Sequence, residues 1–147
     1  MLKAESFSRT LKFRFLAGTS RGTLTEHVAH YIRIFDPKNP EIFGVGEAAP
    51  LKGLSVDYHP DFEKQVDLAC RMFTEENFSR SEVFDHIPPD LPSLRFAFET
   101  ALLDLENRGK RLIFDNSFYQ DQKTLPINGL IWMGDEAFMQ KQIEAKL

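Results

Sequence analysis

The period of the hydrophobic pattern changes along this chain, and that change most constrains the fold. In the first 50 residues apolar side chains alternate with polar ones, as at Phe7, Leu11, Phe13 and Phe15. A period of two predicts half-buried β-strands. Beyond residue 60 apolar residues recur every three or four positions, which predicts helices. Strands first and helices afterwards indicate an α+β domain.

Three strands are predicted before the change of period, at residues 7–15, about 24–35 and 41–47. Residues 18–22, with a glycine at each end, form the first connecting loop, and the Pro-containing turn 36–40 forms the second. Because both connections are short, the strands are expected to form an antiparallel meander. We therefore predict a three-stranded sheet that is followed by a helical bundle.

Two helices are predicted after the sheet. The first has a buried stripe of Phe62, Val66, Ala69 and Phe73, with Asn77 just past its end. The second has an apolar face formed by Leu94, Phe98, Ala101, Leu102 and Leu105. Ser93 is expected to be the N-cap of this second helix and Gly109 its C-terminal stop.

The last part of the chain predicts one strand and one helix. Residues 125–133 are mostly apolar, as in strands buried in parallel sheets, and Asp135 is expected to cap a helix with Phe138, Met139 and Ile143 on one face. A parallel strand needs a neighbour, so this unit predicts the first β/α unit of a truncated (β/α) barrel. We expect domains at residues 1–122 and 123–147. The unpaired strand is expected to pair with a second copy, swap between chains, or fold onto the first domain.

Composition excludes several classes of protein. The formal net charge of −4 over 147 residues argues against a general nucleic-acid binder, which needs a basic surface. The single cysteine, Cys70, excludes an internal disulfide and favours a reducing compartment. No apolar run reaches the length of a signal peptide core or a membrane span. We expect a cytoplasmic protein without nucleic-acid or membrane partners.

The residues by themselves indicate no complete catalytic site. Residues 44–49 (GVGEAA) fit a relaxed dinucleotide-binding pattern, but Pro50 follows directly, so a turn at a strand end explains them better. Asp57, His59 and Asp61 precede a helix and are interpreted as helix-start chemistry with solvated carboxylates. Cys70 is interpreted as a core residue. Residue chemistry alone predicts an α+β module of unknown use.

Four segments together resemble the o-succinylbenzoate synthases of the enolase superfamily. Residues 18–26 (GTSRGTLTE) resemble the first capping loop and second strand, and residues 44–51 with 53–55 resemble the third strand and second capping loop. Residues 92–105 resemble the long helix of the capping domain, and residues 126–134 (PINGLIWMG) the first barrel strand. The resemblance implies an enolase-type N-terminal capping domain followed by the start of a barrel.

The resemblance also implies an activity. These synthases are lyases of menaquinone biosynthesis that dehydrate 2-succinyl-6-hydroxy-2,4-cyclohexadiene-1-carboxylate to o-succinylbenzoate. A divalent metal, normally Mg²⁺, is held by three acidic residues and stabilises the enediolate that forms when a lysine takes the α-proton. Those groups lie on later barrel strands, so no catalytic residue or metal ligand is expected within this chain. We expect the chain alone to be inactive.

Substrate contacts are expected in the two capping loops and at the C-terminal end of the barrel strand. The expected substrate-binding residues are Thr19, Ser20, Arg21, Gly53, Leu54, Ser55, Trp132 and Met133. Arg21 suits a substrate carboxylate, and a solvated loop arginine is an equal alternative. An apolar strand end is also typical of a core, which is the alternative for Trp132 and Met133.

Two other functions fit the sequence. N-acylamino-acid racemases and dipeptide epimerases of the same superfamily use the same lid and barrel, so assays on both substrate classes are needed to separate them. A non-catalytic α+β binding module is the third possibility. The unit at residues 125–147 argues against it, because a self-sufficient module would not carry an unpaired strand.

Overall fold

The computed structural model describes residues 1–19, 22–120 and 123–147. The strands are β1 (Lys3–Thr19), β2 (Gly22–Asp36) and β3 (Asn39–Ala48), in the sheet order β1-β2-β3. The helices are α1 (Phe62–Glu76), α2 (Val83–His86), α3 (Pro92–Glu106), α4 (Ser117–Gln120) and α5 (Glu136–Glu144), with a 3₁₀ turn at Arg80–Glu82. Strands followed by helices confirm the expected α+β class. None of the helices in the described residues is long and apolar enough to span a membrane.

The described chain divides into two compact units. The first contains Met1–Thr10 and Val28–Phe114, and the second contains Leu11–His27 and Asp115–Leu147. The domain boundaries that the sequence predicts, residues 1–122 and 123–147, stay a prediction.

In the first unit, α3 packs directly on β3 through small residues. A Cβ atom on Gly44 would lie 1.8 Å from the backbone oxygen of Ala101, and one on Gly46 would lie 1.8 Å from that of Ala97. Both glycines lie inside β3, so the interpretation of this segment as a turn at a strand end is wrong. They are needed because the helix backbone rests on the strand backbone, with no space for a side chain between them.

Aromatic rings fill the space between α1 and α3. Phe73 of α1 packs edge-on against Phe78, with ring centroids 4.9 Å apart, and its centroid lies 5.7 Å from that of Phe98 on α3. Phe73 and Phe98 are fully buried, and Phe78 is 4% exposed. The predicted stripes of both helices are confirmed as core residues, because Val66, Leu94 and their neighbours join the same cluster.

The outer edge of β1 in the first unit is closed by side chains from α1 and its C-cap. Asn77, which ends α1 in the left-handed conformation with φ 55°, binds both backbone polar groups of Leu2. The Leu2 N–H donates to Asn77 Oδ1 at 2.5 Å, and Asn77 Nδ2 donates to the Leu2 oxygen at 3.1 Å. The Ala4 N–H donates to Thr74 Oγ1 at 3.0 Å. Because these backbone groups at the edge are already hydrogen-bonded, they are less available for pairing with a strand of another chain.

The outer edge of β3 is closed by Asp104 and Arg111. The Val45 N–H donates to Asp104 Oδ2 at 3.0 Å, and the Arg111 guanidinium donates to the Phe43 oxygen at 3.1 Å. Asp104 is 1% exposed and also accepts from the Arg111 guanidinium and, at 2.8 Å, from the Arg111 N–H. A buried carboxylate needs such partners, because an unpaired buried charge is strongly destabilising.

Three predictions from the sequence are wrong: one concerns the burial of β1, one the N-cap of α3 and one the strand at residues 125–133. Three of the four apolar positions predicted to form the buried face of β1 are exposed, with Phe7, Leu11 and Phe15 at 43%, 45% and 45%, while Phe13 is partly buried. Only part of this 17-residue strand lies in the unit that holds the helical core. Ser93 is the second residue of α3 and Leu91 is its N-cap. The expected strand at residues 125–133 is not formed, and Met133 makes a single antiparallel bridge to Gly18.

The missing strand has a simple physical cause. A strand in a parallel sheet is held by hydrogen bonds to neighbours on both sides, and the described residues supply one bridge only. The helix that follows needs no such neighbour, and α5 forms with Asp135 accepting from the Phe138 N–H at 2.8 Å. The predicted cap at Asp135 is confirmed.

Candidate functional site

The second of the two loops expected to bind substrate, called the second loop from here on and defined as residues 51–55, is a closed turn in the first unit. The Ser55 N–H donates to the Leu51 oxygen at 2.9 Å, and the Leu51 N–H donates to Ser55 Oγ at 2.8 Å. Gly53 has φ +73°, a conformation that other L-residues rarely adopt. Leu54 in this loop is 43% exposed and Val56 beyond it is 80% exposed. The loop therefore holds its shape while it presents apolar side chains to the surroundings.

Asp57 links this segment to the N-terminus of α3. Its Oδ2 accepts from the Ser93 N–H at 2.8 Å and from the Ser93 hydroxyl. Asp57 is 5% exposed, so the interpretation of the 57–61 cluster as solvated carboxylates is wrong at this residue. Asp61 is exposed and pairs with Lys64 at 2.6 Å. A carboxylate at a helix N-terminus interacts favourably with the free N–H groups and the helix dipole.

The first loop lies at the tip of the β1–β2 hairpin, in the second unit. Thr19 Oγ1 donates to the Gly22 oxygen at 2.7 Å, which joins the end of β1 to the start of β2. Ser20 and Arg21, two of the expected substrate-binding residues, lie outside the described residues. Both strands extend further than predicted here, because β1 continues to Thr19 and β2 begins at Gly22.

Trp132 and Met133 lie next to this hairpin in the second unit. The Trp132 ring packs edge-on against Phe15, with centroids 5.5 Å apart, and Met133 bridges to Gly18. The side-chain amide of Gln142 binds the Trp132 backbone, accepting from its N–H at 2.9 Å and donating to its oxygen at 3.0 Å. The structure thus brings one end of the first loop together with Trp132 and Met133. Gly53, Leu54 and Ser55 belong to the other unit.

A groove of about 500 Å³ between β1 and α1 is a second feature of the first unit, and Cys70, Asp67 and Arg71 line it. Burial, with smaller contributions from Asp67 and Glu5, raises the pKa of the Cys70 thiol to about 12. A thiol with this pKa is almost entirely protonated near neutrality and is a poor nucleophile. The interpretation of Cys70 as a core residue is confirmed by its 4% exposure.

The sequence analysis missed the roles of Asp57 and Gln142. Asp57 was noticed only as part of a local cluster, and its partner Ser93 lies 36 residues away. Both interactions join a side chain to the backbone of a residue outside its own element. Periodicity carries no signal for such pairs, although a serine directly after a helix-initial proline marks a helix start that needs an acceptor.

No protein-family model matches the chain. A curated o-succinylbenzoate synthase from Desulfotalea psychrophila is 37% identical to it over 164 residues, which cover 93% of this chain and 44% of that protein. The crystal structure of MenC from the same organism aligns with a TM-score of 0.69 and 31% identity, covering 99% of this chain and 46% of its own. This chain is similar to o-succinylbenzoate synthases. The resemblance expected from the sequence is confirmed.

Two further structures share the fold of this chain. An enolase family member from Agrobacterium tumefaciens with homology to dipeptide epimerases has a TM-score of 0.73 at 19% identity, covering 97% of this chain and 42% of its own. An o-succinylbenzoate synthase from Thermosynechococcus elongatus, complexed with Mg in the active site, has a TM-score of 0.54 at 22% identity, covering 69% and 29%. Identities this low show the fold alone. The chain spans less than half the length of each of these proteins.

Proposed function

We propose that this chain is the lid portion of an o-succinylbenzoate synthase. The whole protein would remove water from 2-succinyl-6-hydroxy-2,4-cyclohexadiene-1-carboxylate to give o-succinylbenzoate, a step of menaquinone biosynthesis. The observation that carries the proposal is the 37% identity to the Desulfotalea psychrophila enzyme over 93% of this chain. The substrate is a small molecule, and the cytoplasm stays the predicted compartment.

The lid role is supported by the geometry of the two loops. The second loop is closed by the hydrogen bond between Leu51 and Ser55, and beside the first loop Thr19 of β1 is hydrogen-bonded to Gly22 of β2. Lids of this kind close over bound substrate and exclude water, which strengthens electrostatic interactions at the reacting centre. The proposed substrate-binding residues are Thr19, Ser20, Arg21, Gly53, Leu54, Ser55, Trp132 and Met133.

The chemistry of the reaction would need groups beyond this chain. Within residues 1–19, 22–120 and 123–147 there is no cluster of three or more His, Cys, Asp or Glu side chains that could hold a metal ion. The described residues therefore do not fit Mg²⁺, although the Thermosynechococcus elongatus enzyme carries Mg in its active site. We propose that Mg²⁺ and the proton-transferring lysine belong to the rest of the barrel, which is the expected partner of this lid.

The epimerase alternative rests on weaker support. The Agrobacterium tumefaciens protein has the higher TM-score but only 19% identity, which shows the fold and not the reaction. The dehydratase assignment is favoured because the relative with 37% identity is an o-succinylbenzoate synthase. A non-catalytic binding module would not account for that similarity along nearly the whole chain.

The test is an assay of the full-length protein on both substrate classes. We expect Mg²⁺-dependent loss of water from the cyclohexadiene substrate, little turnover of N-acylamino acids or dipeptides, and none of these activities from the 147-residue chain alone. Arg21→Ala is expected to lower kcat/KM by about 1.5–3 kcal/mol because a charged hydrogen bond to a substrate carboxylate is lost. Arg9→Ala, an exposed arginine of β1 in the first unit, is the matched control. A full-length protein that epimerises dipeptides and does not dehydrate would reject the proposal.

A further inference from the structure

The second loop is attached to the core by a buried carboxylate. Asp57 lies two residues after Ser55, and its Oδ2 is bonded to both the backbone N–H and the hydroxyl of Ser93. Ser93 is the second residue of α3, which packs on the sheet through Ala97 and Ala101. The loop is thus joined by one side chain to a helix that packs directly on the sheet.

The placement of this carboxylate is more than a generic helix cap. A cap usually comes from the residue directly before the helix, but here Leu91 occupies that position and has no side-chain acceptor. The acceptor is supplied by a residue 36 positions earlier, directly after the loop. The bond therefore stabilises the helix end and fixes the position of the loop at the same time.

We propose that Asp57 is a positioning residue for substrate binding, and this rests on the proposed function as a lid. It holds residues 51–55 in one place, so that exposed Leu54 meets the substrate without a large loss of loop entropy. A loop that populates its binding conformation for only a fraction of the time weakens the apparent affinity by that fraction. Preorganisation by Asp57 avoids this loss.

Limited proteolysis of the 147-residue chain tests the anchor. Lys52 is an exposed trypsin site inside the loop, and Arg71 is a site within α1 that opens only when the helix unfolds. In Asp57→Ala we expect cleavage after Lys52 to become about tenfold faster relative to cleavage after Arg71, because the loop is released while the core stays folded. Asp57→Asn keeps one acceptor oxygen and should lie between this variant and the wild type. Asp61→Asn, an exposed acid of the same segment, is the control.

The kinetics of the full-length enzyme test the positioning role. In Asp57→Ala we expect KM to rise by up to about tenfold, and by less in Asp57→Asn, while kcat stays within about twofold, because bound substrate restores the closed loop. A residue that only supports the fold would lower the amount of active enzyme and leave KM unchanged.

The outcomes separate this proposal from the proposed function. Equal acceleration at Lys52 and Arg71, or no acceleration at either, would overturn the anchor. Faster cleavage at Lys52 with an unchanged KM would overturn the positioning role. A wild-type full-length protein without dehydratase activity would reject the lid function and the positioning role with it, while the proteolysis result would still decide whether Asp57 anchors the loop.

Discussion

Removing the carboxylate of Asp104 should destabilise the chain far more than removing the exposed carboxylate of Glu106 on the same helix. Asp104 is 1% exposed and accepts from two backbone N–H groups, at 3.0 Å from Val45 and 2.8 Å from Arg111, and from the Arg111 guanidinium. Alanine at this position leaves both backbone donors without an acceptor. The substitution also removes the hydrogen bond between the outer edge of β3 and α3, so it weakens the contact between the sheet and this helix.

The magnitude follows from the separate contacts. Each buried donor left unsatisfied costs about 1–3 kcal/mol. The Arg111 guanidinium is half exposed and still donates to the Phe43 oxygen, so its loss of a partner adds only about 0–1 kcal/mol. We expect Asp104→Ala to lower the free energy of unfolding by about 2–7 kcal/mol. Glu106, whose contact with Arg80 is 3.6 Å and exposed, should cost about 0–1 kcal/mol when replaced by alanine.

Asp104→Asn separates hydrogen bonding from volume. The carboxamide has nearly the same size, but its NH₂ group would face the donors that now share the carboxylate. We expect this variant to lose most of the stability that alanine loses. Urea unfolding of the 147-residue chain, followed by far-UV circular dichroism, measures the free energy of each variant. If Asp104→Asn lies within about 1 kcal/mol of the wild type, or if Asp104→Ala is no worse than Glu106→Ala, the reasoning is refuted.

Three further predictions follow from single contacts. Gly46→Ala should lower the free energy of unfolding by about 3 kcal/mol or prevent folding, because its Cβ would lie 1.8 Å from a backbone oxygen of α3. Gly129→Ala, whose Cβ would lie 3.5 Å from the nearest atom, is the control, and equal urea midpoints of the two variants would contradict the prediction. The Ser79 hydroxyl, and then its backbone N–H, lower the pKa of Glu82, so the stability from this carboxylate is present above its ordinary pKa and is lost as the pH falls through the lowered one. Ser79→Ala should return that pKa, read by NMR titration, toward 4.5, and an unchanged value would count against the hydrogen bond from the Ser79 hydroxyl to Glu82. The 147-residue chain should self-associate more than a version ending at residue 124, because apolar side chains of residues 125–130 are exposed; equal sedimentation of the two would contradict this.

Much of the secondary structure was determined by the sequence itself. The stripes of Phe62 to Phe73 and of Leu94 to Leu105 gave both long helices, because a period of 3.6 needs one buried face whatever that face packs against. Asn77 and Asp135 marked helix ends through their own local chemistry, and both act as predicted. The similarity to o-succinylbenzoate synthases was also visible in the sequence, in four segments, and the 37% identity to the Desulfotalea psychrophila protein agrees with it.

Burial and long-range pairing were decided only by the tertiary structure. The alternating pattern predicted β1 correctly as a strand but could not show which part of it the helices would cover, so Phe7, Leu11 and Phe15 are exposed. Residues 125–133 have the composition of a strand, but a strand also needs a neighbouring backbone, and the described chain offers one bridge to Gly18.

The polar contacts of the two buried carboxylates show the same limit most clearly. Asp57 joins α3 across 36 residues, and Asp104 joins β3 across 59. Neither pair has a periodic signature, because a hydrogen bond depends on the positions of two groups in space and not on their separation along the chain. The periodicity of the sequence determined that β1 to β3, α1, α3 and α5 form, while contacts between elements determined which acids are buried and what they bind.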